Sequence, residues 1–133
     1  MYRKTVSLLL VLCCLALVGC GKKDAEINSF VTEINTFTDE IVKKVESGST
    51  PEAGVDDAQK YLDSRKADIK TKFDAVKNIG ENQVSEDTKK KLSDSFYQDG
   101  VKLGQLQQKY GSDAAVKTKL QKLTQDFLDL LKG

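Results

Sequence analysis

The fold class is decided by residues 113–131, DAAVKTKLQKLTQDFLDLL. Apolar side chains in this stretch recur at steps of three and four residues, which places them on one face of an α-helix. They are Val116, Leu120, Leu123, Phe127, Leu130 and Leu131. The positions between them are mostly polar or charged, as on the solvent side of an amphipathic helix. Ser112 or Asp113 is a suitable N-cap. We therefore predict a helix that buries one face against other helices.

Three segments upstream show the same periodicity, the third more weakly than the others. Their apolar residues are Ile27, Phe30, Val31, Ile34, Phe37, Ile41 and Val45, then Ala58, Leu62, Ile69, Phe73 and Val76, then Leu92, Phe96, Leu103, Leu106 and Tyr110. Thr50 is a plausible N-cap before Pro51, which suits the first helical position. Gly80 is predicted to stop the second helix in a left-handed conformation. Ser85 is predicted to open the third helix and Gly111 to end it.

The pattern predicts an all-α protein, because no segment shows the period-two alternation of a strand. Four amphipathic helices joined by short connections are expected to form an up-and-down antiparallel bundle. The alternative is a three-helix arrangement with the first helix docked loosely.

The first twenty residues have a different character. Residues 6–18 contain twelve apolar residues and one polar residue, Ser7, and they follow the basic Arg3 and Lys4. A basic start, a short apolar run and a small residue such as Gly19 are typical of a secretory signal peptide. A transmembrane helix is disfavoured, because thirteen helical residues span only about 20 Å of a hydrocarbon core about 30 Å thick.

The end of this segment carries a family resemblance. Leu17-Val18-Gly19-Cys20 resembles the lipobox of bacterial lipoproteins, in which a small residue precedes an invariant cysteine. The resemblance implies cleavage between Gly19 and Cys20, thioether attachment of diacylglycerol to Cys20, and usually acylation of the new amine with a fatty acid such as palmitate. It also implies a lipid-anchored protein of the cell envelope. By similarity to enteric lipoproteins, Gly21 after the cysteine favours the outer membrane if the cell is Gram-negative.

The resemblance covers about the first twenty residues, and the rest of the chain resembles no family. We predict a signal peptide at 1–19, the lipidated cysteine and a short tether at 20–24, and a helical bundle at 25–133. Asp24 is predicted to be the N-cap of the first helix. The tether is then so short that it reaches only about 10 Å, and the bundle is expected to lie against the bilayer. The alternative is that the first helix frays and its opening turns serve as tether.

The composition argues against several kinds of chemistry. The chain has no histidine, which excludes Ser-His-Asp triads, imidazole metal ligands and the Glu-x-x-His pairs of di-iron bundles. No glycine-rich phosphate loop is present. The 21 basic and 20 acidic side chains give no basic excess of the kind that nucleic acid requires. The remaining cysteines, Cys13 and Cys14, would leave with the signal peptide, so no disulfide is expected. We predict no catalytic residue, no metal site, no cofactor and no nucleic-acid partner.

Carboxylate pairs are the one pattern from which an enzyme or a metal site could be built. They are Asp39-Glu40, Asp56-Asp57, Glu86-Asp87, and Asp126 with Asp129. Two of the pairs fall near predicted helix starts, where negative charge complements the helix dipole. Asp126 and Asp129 flank the apolar stripe of the last helix, which favours a solvated face.

Two other patterns have both a structural and a functional interpretation. Gly100 and Gly104 have the spacing of a close helix–helix contact, although a local packing notch or a weak point in the helix is the preferred interpretation. Lys89-Lys90-Lys91 and the pair Lys22-Lys23 could contact anionic lipid headgroups, although charge runs on helices are usually just solvated.

Three functions remain open. The favoured one is a non-catalytic envelope protein, a tethered bundle that presents a surface to an unidentified envelope protein or to the cell wall. The second is a membrane-proximal chaperone or inhibitor-like binder that uses a groove between helices. The third is an enzyme that uses carboxylates alone. Clustered inward carboxylates would support the third, and an apolar groove the second.

Overall fold

A computed structural model describes residues 22–132 and contains four long helices. They are α1 (Asp24–Ser47), α2 (Pro51–Lys77), α3 (Glu86–Tyr110) and α4 (Ala114–Leu130), with one 3-10 turn (Glu81–Gln83) between α2 and α3. Within these residues no strand occurs. The all-α prediction with four packed helices is confirmed. The predicted signal peptide, Cys20 and Gly21 lie outside the described residues.

The predicted starts of three helices are confirmed by their caps. The side chains of Thr50, Ser85 and Asp113 each accept hydrogen bonds from backbone N–H groups in the following turn, at 3.1 Å, 3.3 Å and 2.8–3.1 Å. Pro51 is the first residue of α2. Each cap satisfies N–H groups that have no partner within the helix. The cap of α4 is thus Asp113, which settles the choice left open by the sequence.

Two predicted helix ends are wrong. Asp24 is the first residue of α1 and not its N-cap, because its carboxylate reaches another helix and accepts from the Ser85 N–H at 2.9 Å. Gly80 is extended, with φ −64° and ψ 139°, and not left-handed. α2 already ends at Lys77, and the N–H of Asn78 bonds back to the carbonyls of the last turn. Neither Asn78 nor Gly80 has a positive φ.

The four helices alternate in direction along the chain, but they are not arranged in chain order around the bundle. α1 packs against α2 and α3, and α4 packs against the same two helices. Hydrogen bonds between α1 and α3 join Asn35 to Ser95 and Asp39 to Lys102. Both positions advance together along the two helices, so α1 and α3 run parallel side by side. The connection from α2 to α3 consequently crosses the bundle diagonally.

The fourth helix is too short to accompany α2 over its whole length. α4 has 17 residues and α2 has 27, which correspond to about 25 Å and about 40 Å. Hydrogen bonds from Lys119 to Asp56 and from Gln59 to Asp126 align α4 with the first half of α2. We call the part that contains α4 the four-helix half. The remainder, about residues 24–35, 67–77 and 86–98, is the three-helix half, and it contains the start of α1.

Each half has its own aromatic cluster. In the four-helix half Phe37 stacks on Phe127 with ring centroids 5.9 Å apart and contacts Tyr61 at 5.5 Å. In the three-helix half Phe30, Phe73 and Phe96 lie 6.1–6.4 Å from one another. The contacts Phe37–Phe127 and Phe73–Phe96 cross the two diagonals of the bundle, so they tie together helices that do not otherwise pack closely.

Candidate functional site

The start of α1 is fixed to the connection between α2 and α3. The backbone N–H of Lys23 donates to the carbonyl oxygen of Gln83 at 3.1 Å, and Asp24 accepts from the N–H of Ser85. The bond from Ser85 is also the main reason why the pKa of Asp24 lies below its ordinary value. Ile27, in the next turn, is buried. The first turn of α1 is therefore a packed part of the bundle, which argues against the alternative of a frayed first helix.

The predicted lipidation and cleavage residues, Cys20 and Gly19, lie outside the described residues. The described chain begins at Lys22, which is exposed, at the end of the bundle where α1 starts. Cys20 precedes the fixed Lys23 by three residues, a distance of at most about 10 Å. Whatever is attached to Cys20 thus starts close to this end, which we call the anchor end.

An apolar cleft opens at the anchor end between α2, the 3-10 turn and α3. It has a volume of about 550 Å³, and we call it the anchor-end cleft. Its apolar walls consist of Ile27, Phe73, Val76, Ile79, Val84 and Leu92. Lys77, Glu81 and Lys89 also line it. The cleft lies on the α2–α3 side of the three-helix half, and in the other half α4 occupies this side by packing against both helices. The shortness of α4 is what leaves the cleft open.

A second cleft, of about 500 Å³, lies between α1 and α2 in the same half. Its border is charged: Glu33 of α1 accepts from Arg65 at 3.0 Å and from Lys72 at 2.6 Å. The bond to Glu33 is the main cause that raises the pKa of Lys72. Asp68 completes the cluster by pairing with both cations. The cluster links two helices and offers no uncompensated charge for a ligand.

The lysine runs are largely neutralised by neighbours on their own helices. Lys89 donates to Glu86 at 2.7 Å and Lys90 to Asp94 at 2.5 Å. Lys23 pairs with Glu26. Lys89 and Lys90 thus form exposed ion pairs between adjacent turns of α3. Each pair stabilises the helix by only a few tenths of a kcal/mol. Lys22 and Lys23, at the anchor end, are the better placed of the two runs for contact with headgroups.

The predicted carboxylate pairs do not form a cluster. Asp39, Asp57, Glu86, Asp87 and Asp129 are exposed, and Glu40, Asp56 and Asp126 are half-buried. Asp126 differs from the prediction of a solvated face, because it accepts from Gln59 of α2 at 2.8 Å. Its pKa is lowered, chiefly by a hydrogen bond from Lys122. Among residues 22–132 no group of three or more potential metal-ligating side chains comes together.

The buried carboxylate of the described chain is a residue that the sequence pattern did not reveal, Asp99 of α3. It has no exposed surface, and neither of its oxygens has a hydrogen-bond partner. Burial raises its pKa to about 6, opposed by the nearby Thr38 and Lys102, while Asp39 adds a smaller rise. The Lys102 ammonium lies 4.0 Å away but binds Asp39 at 2.6 Å. A buried acid without a hydrogen-bond partner is unusual, and the neighbouring carboxylate, that of Asp39, is bound by Lys102.

Asp99 explains why the apolar pattern of α3 is weak. The buried polar residues of this helix are Thr88, Ser95 and Asp99, and they share one face with Leu92, Leu103 and Leu106 at steps of three and four. Ser95 bonds Asn35 of α1 at 2.7 Å. The interface between the parallel helices α1 and α3 is therefore partly polar. The spacing of these polar residues from the leucines indicates that they lie on the buried face of α3. Their polar side chains, however, are of the type expected on a solvated face.

Gly100 and Gly104 do not mark a helix–helix contact. A Cβ atom placed on either glycine would meet nothing within 4 Å. The interpretation as a packing notch is wrong, and what remains is a weak point in α3. Close approach occurs instead at Gly54, where a Cβ would lie 2.2 Å from the carbonyl oxygen of Val45. This is where α2 starts directly against the end of α1.

None of the described helices has the length and hydropathy needed to cross a bilayer. No protein-family model, no curated protein sequence and no solved structure matches the chain. The anchor end, with its fixed α1 start and its apolar cleft, is therefore the candidate functional site on geometric grounds.

Proposed function

We propose that this protein is a bacterial envelope lipoprotein, a non-catalytic helical bundle held at a membrane by lipid on Cys20. Its role is that of a structural or protein-interaction module, with an envelope protein or the cell wall as partner. The lipid in this proposal rests on the resemblance of residues 17–20 to a lipobox, and the observation that positions the bundle is the fixed start of α1. A lipid on Cys20 is joined by no more than three residues to a turn that is hydrogen-bonded into the bundle.

The geometry supports a bundle that lies close to the bilayer. A tether of about 10 Å is shorter than α2, whose 27 residues extend about 40 Å. The anchor end then faces the membrane and the four-helix half faces away from it. The surface of that half carries ion pairs between neighbouring helices, such as Lys109 with Glu46 and Lys119 with Asp56. A closed core with a charged exterior suits a module that presents a surface to a polar partner.

The first test concerns the anchor. Cys20→Ala should abolish incorporation of radiolabelled palmitate and leave the precursor unprocessed, because alanine has no sulfur on which the thioether can form. Globomycin, which blocks the lipoprotein signal peptidase, should cause the same larger precursor to accumulate from the wild-type chain. Cys14→Ala is the matched control and should be labelled and processed normally. Equal palmitate labelling of the Cys20→Ala and wild-type chains would overturn the proposal.

The second test concerns the position of the bundle. Membrane-bound wild-type protein should resist protease between Cys20 and Ile34, because the first turn of α1 is held by Gln83 and Ser85. Asp24→Ala removes one of these bonds and should speed cleavage there. Asp87→Ala, an exposed acidic residue at the start of α3, is the control. Rapid release of an intact bundle from the wild-type protein would contradict close docking.

Fractionation of the membranes tests the expected outer-membrane location.

The anchor-end cleft favours a second candidate function, a membrane-proximal binder that uses a groove between helices. This function predicts that a photocrosslinking residue at Ile79 captures one defined envelope protein, and that Val76→Lys, which places a charge in the cleft, prevents capture. Capture from the surface of α4 and not from Ile79 would favour the structural module instead.

A further inference from the structure

The walls of the anchor-end cleft select an apolar ligand. Six of its lining side chains are hydrocarbon, and its charged residues are Lys77, Glu81 and Lys89. A volume of about 550 Å³ lies within the range of about 300–1,000 Å³ that is usual for small-molecule sites. A polar ligand would lose its hydration against these walls without gaining matching hydrogen bonds. A flexible, unbranched hydrocarbon chain has no hydrogen bonds to water that it would lose on binding.

The cleft is also next to the point at which the chain enters the bundle. Gln83, which binds the backbone of Lys23 at 3.1 Å, lies between two residues that line the cleft, Glu81 and Val84. Ile27, one turn into α1, forms part of the wall. The backbone of Cys20 is within about 10 Å of Lys23. A lipid on this cysteine therefore begins within reach of the cleft, whereas the four-helix half lies farther from it.

We propose that the anchor-end cleft binds one fatty acyl chain of the lipid on Cys20. The inference rests on the proposed lipidation and adds a site for the lipid on the protein itself. Two acyl chains are enough for stable anchoring, so a third can leave the bilayer without releasing the protein. The transfer of a methylene group out of water is favourable by a similar free energy whether it enters a bilayer or an apolar protein site. The chain also covers wall residues that are otherwise half-exposed, such as Val76, Ile79 and Leu92.

Binding of one chain fixes orientation as well as distance. A lipid that is held only in the bilayer leaves the bundle free to turn about its tether. A chain that enters the cleft adds a second attachment point, between α2 and α3, and keeps the anchor end against the membrane surface.

The test uses full-length protein made in a bacterium that is fed a palmitate analogue with a diazirine at the end of its chain. Intact envelopes are irradiated, and the adducts on the purified protein are mapped by mass spectrometry. We expect intramolecular adducts on Phe73, Val76 or Leu92. Adducts only with phospholipid, or adducts spread over α4, would overturn the inference.

Two variants sharpen the result. Leu92→Lys places a charge in the cleft and should lower the yield of intramolecular adducts by about tenfold or more. The reason is that the free-energy cost of burying a charge in an apolar site exceeds the 1.4 kcal/mol that corresponds to a tenfold change. Tyr97→Lys, on the same helix but 70% exposed and outside the cleft, should leave them unchanged. Should Leu92→Lys lose its helical circular dichroism, the wild-type adduct map decides alone.

The outcomes separate the inference from the proposal beneath it. If the analogue labels the wild-type chain and Cys20→Ser alike, or labels neither, the proposed lipidation fails and the inference with it. If labelling requires Cys20 but every adduct is with phospholipid, only the cleft assignment fails.

Discussion

The two halves of the bundle differ in how completely their helices cover one another. In the four-helix half Leu120, Leu123 and Phe127 of α4 are at most 1% exposed, and α2 starts directly against the end of α1 at Gly54. In the three-helix half the anchor-end cleft and the cleft between α1 and α2 are open, and Val76, Leu92 and Phe96 are only partly buried.

The difference follows from one length, that of α4. A helix of 17 residues completes the four-helix arrangement over about 25 Å, and beyond its end the side between α2 and α3 stays open. The half without a fourth helix is the half that carries the start of α1. We infer that stability comes mainly from the four-helix half.

Matched truncations in the two halves should show the largest effect. Leu123→Ala, at a position with no exposed surface, should lower the free energy of unfolding by about 2–5 kcal/mol, because it leaves a cavity in a closed core. Leu92→Ala in the cleft wall should cost only about 1 kcal/mol, since part of that side chain is already in solvent. Urea unfolding of a soluble form that begins at Lys22 measures both. Equal losses would mean that the halves are packed alike.

The buried Asp99 should make stability depend on pH in an unusual direction. Its folded-state pKa is raised from 3.8 to about 6, so its contribution is fully present below about pH 4 and is lost as the pH rises through 6. Asp99→Asn should therefore stabilise the protein by about 2–3 kcal/mol at pH 8 and have little effect at pH 4. The quantity to measure is the difference in unfolding free energy between the variant and the wild type across this range, since the other carboxylates cancel.

Asp94→Asn is the control for that measurement, because Asp94 is an exposed acid of the same helix and pairs with Lys90, not with Lys102. It should show no such rise between pH 4 and 8. A pH-independent difference for Asp99→Asn would show that Asp99 is not titrating in this range.

The glycines should show the smallest effects, with opposite signs. Gly54→Ala directs a Cβ at the backbone of Val45 and should destabilise the protein by about 1–3 kcal/mol, as overpacking does. Gly104→Ala meets nothing and should stabilise α3 by about 0.5–1 kcal/mol, because alanine loses less backbone entropy in a helix. Thermal unfolding of the two variants checks both. Stabilisation by Gly54→Ala would mean that α1 and α2 are less closely packed there.

The sequence predicted the helices better than it predicted their contacts. Periodicity placed all four helices, and residue type identified the caps at Thr50 and Ser85, because both depend on interactions within one or two turns. Asp24 was assigned to local capping but binds Ser85, 61 positions away along the chain. Its side chain is chemically suited to either role, so only the neighbouring helix decides between them.

The candidate site was predicted only in part. The resemblance of residues 17–20 to a lipobox and the short distance to the first helix came from the sequence, and the lipid anchor stays a prediction. The anchor-end cleft could not be predicted from the sequence. Its walls belong to three helices and a connection, and the order of these elements around the bundle is not encoded in the apolar stripe of any one helix. Asp99 was hidden for a related reason, since a polar residue at a core position resembles a surface residue until a partner helix covers it.

The sequence by itself determined the all-α class, the number and starts of most helices, and the absence of histidine chemistry, because these follow from composition and from spacing along one segment. Only the tertiary structure decided that α1 and α3 lie side by side and run parallel, that the connection at 78–85 crosses the bundle, and that α4 leaves one half open. Such features depend on which faces meet across 60 or more residues. Several helix orders would bury the same apolar stripes, and the choice among them comes from contacts such as Asn35 with Ser95 and Asp39 with Lys102.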